Sequence, residues 1–427
     1  MRVLLTGATG FVGGAICSEL LRAGHEVRAV ARRAPPGPDR PGLEWIEGDF
    51  AQDHTAQVWL PRLEGVDAVV NAVGIIREAK GSTFEAVHQR APIALFEACR
   101  SRAISQVVQI SAMGVADPGS TMPYQTTKLA ADNWLQGSGL SSVILRPSLI
   151  QGVEGESAQL FRELAALPIV PIVGSGQYPL RPLQVDDLSR AVRLALELQP
   201  RVTGCFDIGG AQVVTLEEML LCIRSWLGER PSGPTLKLPS ALVGFAARIG
   251  DLTGVGMIDS ATWKMLQAGS AAPIDEFTEA FGFTPRGLAE SLALAPAGPA
   301  LRWHARLRPL KVPIRLLVAS IWLITPAVSL WRWELSLSLL HKSGFHAEVS
   351  PILLVSSCAF EVLLAISLLT GRLVRWTGAV QIALMVFYTG VLSITQPELW
   401  LDPLGSLSKN LPLIAATLAM IALEDPR

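Results

Sequence analysis

The feature that most constrains this chain is its first thirteen residues, MRVLLTGATGFVG. An apolar run, Val3-Leu4-Leu5, stops at Thr6 and gives way to Gly7, Gly10 and Gly13, and Ala15 to Leu21 then reads as an amphipathic helix. Strand, glycine turn and helix start form the layout that cradles a dinucleotide pyrophosphate. Glycines let the backbone turn tightly and approach the phosphates, and the helix N-terminus offers unpaired N–H groups and a positive dipole end. The bland alternative is a glycine-rich turn without a ligand; its place directly between strand and helix favours the cradle.

The next 150 residues repeat the alternation. Strands are expected at Val27–Ala31, Leu43–Ile46, Asp67–Asn71, Gln106–Ser111 and Ser142–Leu145, with helices at Phe84–Arg102 and Tyr124–Gln136. Strands alternating with helices imply an α/β Rossmann fold, a doubly wound parallel sheet with right-handed crossovers. Arg32-Arg33 closes the second strand, where an acidic residue would hold a ribose 2′-OH; arginine there suits a 2′-phosphate, so NADP is expected over NAD. The alternative for this pair is a solvated strand end.

The spacing G-x-x-G-x-x-G led by Thr6 resembles the TGxxGxxG of the extended short-chain dehydrogenase/reductase superfamily, over about residues 1–290. The resemblance implies that Thr6, Gly7, Thr9, Gly10, Phe11, Val12 and Gly13 bind the cofactor and that Asp49 meets the adenine. It also implies that Asn71-Ala72-Val73-Gly74, similar to the family's NAAG-type turn, lies beside the adenine ribose, with Pro147 at the cofactor too. Beyond the sheet, Val173–Gln177, Val185-Asp186-Asp187, Phe206–Gly210 and the capped helix at Thr215-Leu216-Glu217-Glu218 resemble the family's small C-terminal substrate lobe, with one of the two aspartates expected as an N-cap.

Tyr124-Gln-Thr-Thr-Lys128 carries the expected chemistry. At i and i+4 both side chains lie on one helix face, and a nearby ammonium should favour the phenolate. Such a tyrosine passes a proton to or from a substrate oxygen while hydride moves at the nicotinamide. In the family the lysine also holds the nicotinamide ribose. The family's catalytic Ser or Thr falls at Ile110-Ser111-Ala112-Met113, with Ala112 at the reactive position; Ser111 either serves as the third catalytic residue or only hydrogen-bonds the strand end. His88 stands where many members have Asn, and as a lone helical histidine reads as a packing or surface residue. These departures look like the branch that includes the complex I accessory subunit.

The last third differs in kind. The whole chain is 50% hydrophobic and 17% charged, and four apolar stretches at 312–331, 351–370, 373–394 and 407–423 are each about long enough to cross a ~30 Å hydrocarbon core. Trp322, Trp331, Trp333, Trp376 and Trp400 lie mostly near their ends, as interface anchors do. Residues 301–427 carry 11 Lys/Arg against 7 Asp/Glu, and residues 1–300 carry 25 against 30. With both termini inside, 8 Lys/Arg flank the inner ends (Arg302, Arg306, Arg308, Lys311, Arg315, Arg372, Arg375, Arg427) and 3 the outer (Arg332, Lys342, Lys409), which puts the Rossmann domain in the cytoplasm. This tail resembles the DoxX-like four-helix membrane family, an all-α transmembrane bundle. Glu361 and Gln381 inside spans are expected to face the bundle interior.

The expected domains are 1–230 (Rossmann), 231–300 (rest of the substrate lobe and linker) and 301–427 (membrane). Five scattered cysteines have no zinc or redox spacing, no metal site is expected, and no basic patch points to nucleic acid. No secretory signal is expected, since the N-terminus already reads as a core strand. The leading expectation is a membrane-anchored NAD(P)-dependent oxidoreductase acting on a small or lipid-soluble carbonyl or alcohol, in contact with the bilayer and with room for membrane-protein partners. A non-catalytic nucleotide-binding scaffold and a sugar-nucleotide epimerase or dehydratase are the alternatives.

Overall fold

The computed structural model spans residues 1–427 and describes all except 39, 80, 118, 232, 254–259, 404 and 425–427. It divides into two units, Met1–Gly298 and Pro299–Arg427, each with its own hydrophobic core.

In the first unit seven strands make one parallel sheet: β1 (Arg2–Thr6), β2 (Glu26–Ala31), β3 (Leu43–Glu47), β4 (Ala68–Asn71), β5 (Gln106–Ile110), β6 (Ser142–Pro147) and β7 (Gly204–Ile208). Their order is β7-β6-β5-β4-β1-β2-β3, and every pairing is parallel. The middle of a parallel sheet is covered on both faces, which is why β1 and β4 carry the apolar runs Val3-Leu4-Leu5 and Ala68-Val69-Val70. Side chains alternate between two cores. Val3, Leu5, Val70, Val108 and Leu145 pack under α1 (Phe11–Arg22) and the helix Val185–Glu197. Leu4, Val69, Val107 and Ile144 pack under α2 (Ala91–Ser101) and α3 (Pro123–Gly137). Leu4, Leu5 and Leu20 are fully buried, each worth roughly 1.5–3 kcal/mol relative to exposure. Strand order reverses beside β1, so the crevice past the carboxyl ends of β1 and β4 is the switch point where such sheets bind ligands.

The expected helix 84–102 is two pieces: a π-helical turn, Glu85–Arg90, running into α2. The Asp186-Asp187 expectation is corrected. Gln184 is the N-cap of Val185–Glu197, and Asp187 instead takes Arg286, from its backbone N–H at 2.9 Å and its guanidinium at 2.8 Å. The Thr215 capping box is present, Thr215 Oγ1 accepting the Glu218 N–H and the Glu218 carboxylate accepting the Thr215 N–H. Between 231 and 300 the helices are Ser240–Thr253, Ser260–Ala268, Asp275–Phe281 and Leu288–Leu294; residues 232 and 254–259 of that stretch are outside the described residues.

In the second unit α4 (Lys311–Trp331), α5 (Ser350–Thr370) and α6 (Val374–Thr395) are long and apolar enough to cross a membrane. The fourth expected span, 407–423, is shorter as a helix: α7 runs Asn410–Ala422, 13 residues or about 20 Å. Pro412 has no N–H for the Ser408 carbonyl, so the α-helix does not continue back toward Leu407. Trp333–Lys342 forms an unforeseen helix between α4 and α5. Glu361 is buried, and Gln381 is fully buried among the helices. Trp331, Trp376 and Trp400 are exposed, but Trp322 is a core residue at 5% exposure rather than an interface anchor. Lys311 Nζ pairs with Glu424 at 2.9 Å, so the end of α7 lies level with the start of α4. Arg427, counted among the inner cations, is outside the described residues.

Candidate cofactor and active site

The glycine loop is built as a cradle that side chains would fill. Gly7 has φ +75°, and a Cβ there would come within 2.7 Å of the Ala72 carbonyl oxygen; a Cβ on Gly13 would collide with the Gly7 carbonyl. The Gly10 N–H is tied to the Gly7 carbonyl at 2.9 Å, which closes the turn. Gly10 is the N-cap of α1 and offers no side-chain cap, leaving the first-turn N–H groups of Phe11 and Val12 to an anionic ligand. Thr6 and Asn71 are fully buried, and their side chains serve each other: Thr6 Oγ1 donates to Asn71 Oδ1 at 2.6 Å and Asn71 Nδ2 to Gln109 Oε1 at 2.7 Å. That chain ties the ends of β1, β4 and β5 and so positions the Gly7 turn against Ala72, Val73 and Gly74. Phe11 turns its half-buried ring toward Gly152 and Gly155, where Cβ atoms would meet the ring at 2.6 Å and 3.0 Å. These two glycines escaped sequence reasoning because nothing in their own neighbourhood marks the approach of a ring some 140 residues away.

Thr9 is exposed on the loop, and Arg32 and Arg33 are exposed just past β2. Asp49 follows β3, where its carboxylate accepts from the Ala51 N–H at 3.0 Å and Gln52 Nε2 at 3.1 Å. These groups lie on the β2–β3 side of the switch point; the tyrosine, lysine and Pro147 lie on the β5–β6 side.

On α3, Tyr124 and Lys128 share a face, with the ammonium 5.9 Å from the phenol ring centroid. Lys128 is buried, donates to the Ile110 carbonyl at 3.2 Å, and reaches to 3.6 Å from where a Gly74 Cβ would stand. Thus the candidate pair Tyr124 and Lys128 and the Gly74 turn meet at one place. His88, read from sequence as packing or surface, meets them there. Its ring is T-shaped to Tyr124 at 5.3 Å and stacked on Phe84 at 5.4 Å. Its Nε2 accepts the Ile75 N–H at 3.0 Å, leaving Nδ1–H to face Thr127 Oγ1 at 3.4 Å. Burial, with the Lys128 charge, pulls His88 down to about 3, so it stays neutral and pins the 74–76 turn. A π-helical turn carries it, and no sequence period announces one.

The expected phenolate is corrected. Burial pushes the Tyr124 phenol up to about 12 and pulls the Lys128 ammonium down to about 8. Desolvation sets both directions and keeps Tyr124 a neutral phenol. Ser111 is 4% exposed and donates its hydroxyl inward to Asp132 Oδ2 at 2.7 Å. Ala112 and Met113 occupy the strand end beside it; the Met113 sulfur receives the Ala272 N–H at 3.3 Å, drawing the 270–272 segment over that end.

Residues 7–163 match the NAD(P)H-binding family and residues 319–418 the DoxX-like family. The first unit carries an NAD(P)-binding domain, and its relatives are of the short-chain dehydrogenase/epimerase kind. Its relatives include a 2-alkyl-3-oxoalkanoate reductase of Stenotrophomonas maltophilia, 25% identical over 65% of this chain and 88% of the relative. A ceramide reductase of Caulobacter vibrioides is 29% identical over 40% of this chain and 53% of the relative. Among solved structures, MoeE5 in complex with UDP-glucose and NAD matches with a TM-score of 0.53 and 26% identity, over 69% of this chain and 96% of that one. The dehydrogenase/epimerase unit is therefore the dinucleotide-binding part of an oxidoreductase-type enzyme, and the unit that follows is a membrane-associated DoxX-like domain.

Proposed function

We propose that this chain is a membrane-anchored, NADP-preferring oxidoreductase that interconverts a ketone and an alcohol on an apolar, membrane-soluble molecule. The observation that carries the reading is the meeting of Tyr124, Lys128 and the Gly74 turn beyond the glycine cradle. A nicotinamide dinucleotide held there supplies or accepts the hydride. Tyr124, neutral in the resting site, donates its proton to the oxygen of a carbonyl undergoing reduction, and the Lys128 ammonium stabilises the phenolate left behind. Lys128 and the Gly74 turn hold the ribose, Gly7 to Gly13 the pyrophosphate, Pro147 the nicotinamide end and Asp49 the adenine. Arg32 and Arg33, exposed past β2, take the 2′-phosphate. Ser111 acts from within, through Asp132.

An apolar substrate is favoured by the attached DoxX-like domain and by relatives named as reductases of a 2-alkyl-3-oxoalkanoate and of ceramide. The dehydrogenase/epimerase unit faces the cytoplasm: the Lys/Arg-rich flanks lie at the start of α4 and between α5 and α6. Four crossings fit the Lys311–Glu424 pair, which returns the chain to the side of its first span; the fourth crossing then combines α7 with the turn before it. The test is NADPH oxidation by the detergent-extracted protein supplied with fractionated membrane lipids. Wild type should consume NADPH with a lipid fraction, and Tyr124→Phe should do so ~10²-fold more slowly at unchanged NADPH affinity. Equal turnover by Tyr124→Phe would reject the mechanism.

A further inference from the structure

The second unit carries polar side chains in the middle of its apolar core, and contacts between helices fix their heights. α4 and α5 run antiparallel: Arg315 Nη1 comes within 3.0 Å of where a Gly371 Cβ would stand, and the Cys358 sulfur lies 3.9 Å from the Pro326 carbonyl oxygen. Between α5 and α6, the Ser367 and Thr377 hydroxyls bond at 2.8 Å. α6 and α7 meet where a Gly378 Cβ would stand 3.3 Å from the Met420 methyl, and where Asn410 Nδ2 donates to Thr389 Oγ1 at 2.8 Å. Counted along each helix from Pro326–Cys358, Ser367–Thr377 and Gly378–Met420 at about 1.5 Å per residue, Trp322, Glu361, Gln381 and Thr417 lie within about 3 Å of one level. Each of the four helices thus gives that level one polar side chain.

All four are buried, Gln381 and Thr417 completely. One hydrophobic cluster ties them together: it contains Trp322 itself, Leu364 and Ala365 one turn from Glu361, Met385 one turn from Gln381, and Met420 one turn from Thr417. Thr417 spends its hydroxyl inside its own helix, donating to the Leu413 carbonyl at 2.9 Å. The Gln381 amide and the Trp322 indole differ. Gln381 Oε1 and Nε2 and Trp322 Nε1 are buried, and none has a partner among the described residues. A buried amide without partners is costly in an apolar core, and polar side chains at such depth in a membrane mark binding sites or pathways.

We propose that this bundle holds a binding site for the carbonyl group of an apolar, membrane-soluble molecule, with Trp322 Nε1 and Gln381 Nε2 as donors to its oxygen. Two N–H donors at one level suit an acceptor oxygen, and Gln381 Oε1 remains for a hydroxyl on the same molecule. Val318, Leu364, Leu368, Met385 and Met420 surround these groups with the apolar contact that a hydrocarbon chain needs. A neutral carbonyl compound reaches the site from the bilayer without the desolvation cost of a charged one. The site goes beyond the dehydrogenase reading: it needs no dinucleotide, and Tyr124 and Lys128 have no part in it.

The probe is 6-bromododecan-2-one, whose bromine quenches a nearby tryptophan, set against 6-bromododecane, which has the same chain and bromine without the carbonyl. Each is added to the full-length protein in phosphatidylcholine vesicles, and Trp322 is read as the part of the quenching that Trp322→Phe abolishes. The ketone should quench Trp322 saturably, and the bromoalkane only in proportion to its content in the bilayer. Gln381→Leu removes the amide at similar volume and should raise the ketone's half-saturation by about 3- to 10-fold. Gln381→Met keeps the length of the side chain and should do the same, which covers a failure of either variant to fold. Equal quenching by ketone and bromoalkane, the result when the buried amide is served by water or by a neighbouring helix alone, overturns the proposal. So does wild-type half-saturation in either folded Gln381 variant.

Discussion

Two adjacent glycines on α1 offer a matched test of the cradle. A methyl on Gly13 would be driven into the Gly7 carbonyl, whereas one on Gly14 would rest 3.5 Å from the Ala8 carbonyl, an ordinary contact. Both changes gain ~1 kcal/mol of helix propensity. For Gly14→Ala nothing opposes that gain, so the variant should be at least as stable as wild type and should bind NADPH unchanged. For Gly13→Ala the gain is set against overpacking of ~1–3 kcal/mol, relieved by moving the Gly7–Gly10 turn off the helix end. That movement takes the Phe11 and Val12 N–H groups out of line with the pyrophosphate. Charge-assisted hydrogen bonds are worth ~1.5–3 kcal/mol each, so losing two weakens binding by about 10²- to 10⁴-fold. Titrating NADPH into each purified variant, with circular dichroism to check that the fold is retained, measures the difference. Affinity in Gly13→Ala within a few-fold of wild type would refute the cradle, as would loss of binding in Gly14→Ala.

Three further outcomes follow from the same geometry. Wild type should bind NADPH more tightly than NADH, and Arg32→Ala with Arg33→Ala should remove most of a preference worth ~1.5–3 kcal/mol; equal wild-type affinities would sink the 2′-phosphate reading. Reporter fusions after Arg302, Lys342, Arg372 and Gln396 should alternate in, out, in, out, and an extracytoplasmic signal at Arg302 would overturn the orientation. Thr215→Ala should lower the stability of the first unit by ~0.5–2 kcal/mol through loss of the capping box, with NADPH affinity unchanged, since the cap lies on the helix Leu216–Trp226 past β7, outside the glycine cradle; a drop in affinity would tie that helix to the cofactor.

Much of the first unit was legible because its signals are local. β1, the Gly7 turn and α1 follow from thirteen residues, since a fully buried parallel strand must be apolar and a chain passing under a neighbouring carbonyl must lack a Cβ. The same locality put Tyr124 and Lys128 on one face, because four residues of α-helix always do so. Where an expectation changed, distant residues had intervened. Asp187 reads as a cap in its own sequence, but Arg286, 99 positions later, claims its carboxylate. Trp322 reads as an anchor from its apolar neighbours, yet helix packing encloses it.

The sequence by itself determined the parallel α/β class, the cradle, the candidate pair and the apolar tail, all properties of periodicity and short spacing. Only the tertiary structure decided the protonation chemistry and its supporting cast. A side chain's pKa depends on what displaces its water, and that is set by segments far apart in the chain. Phe84 and His88 against Tyr124, and Ser111 and Arg146 on Asp132, come together only when β5, β6, α3 and the π-helical turn are packed. Burial then pushes the tyrosine up to about 12 and pulls its lysine down to about 8.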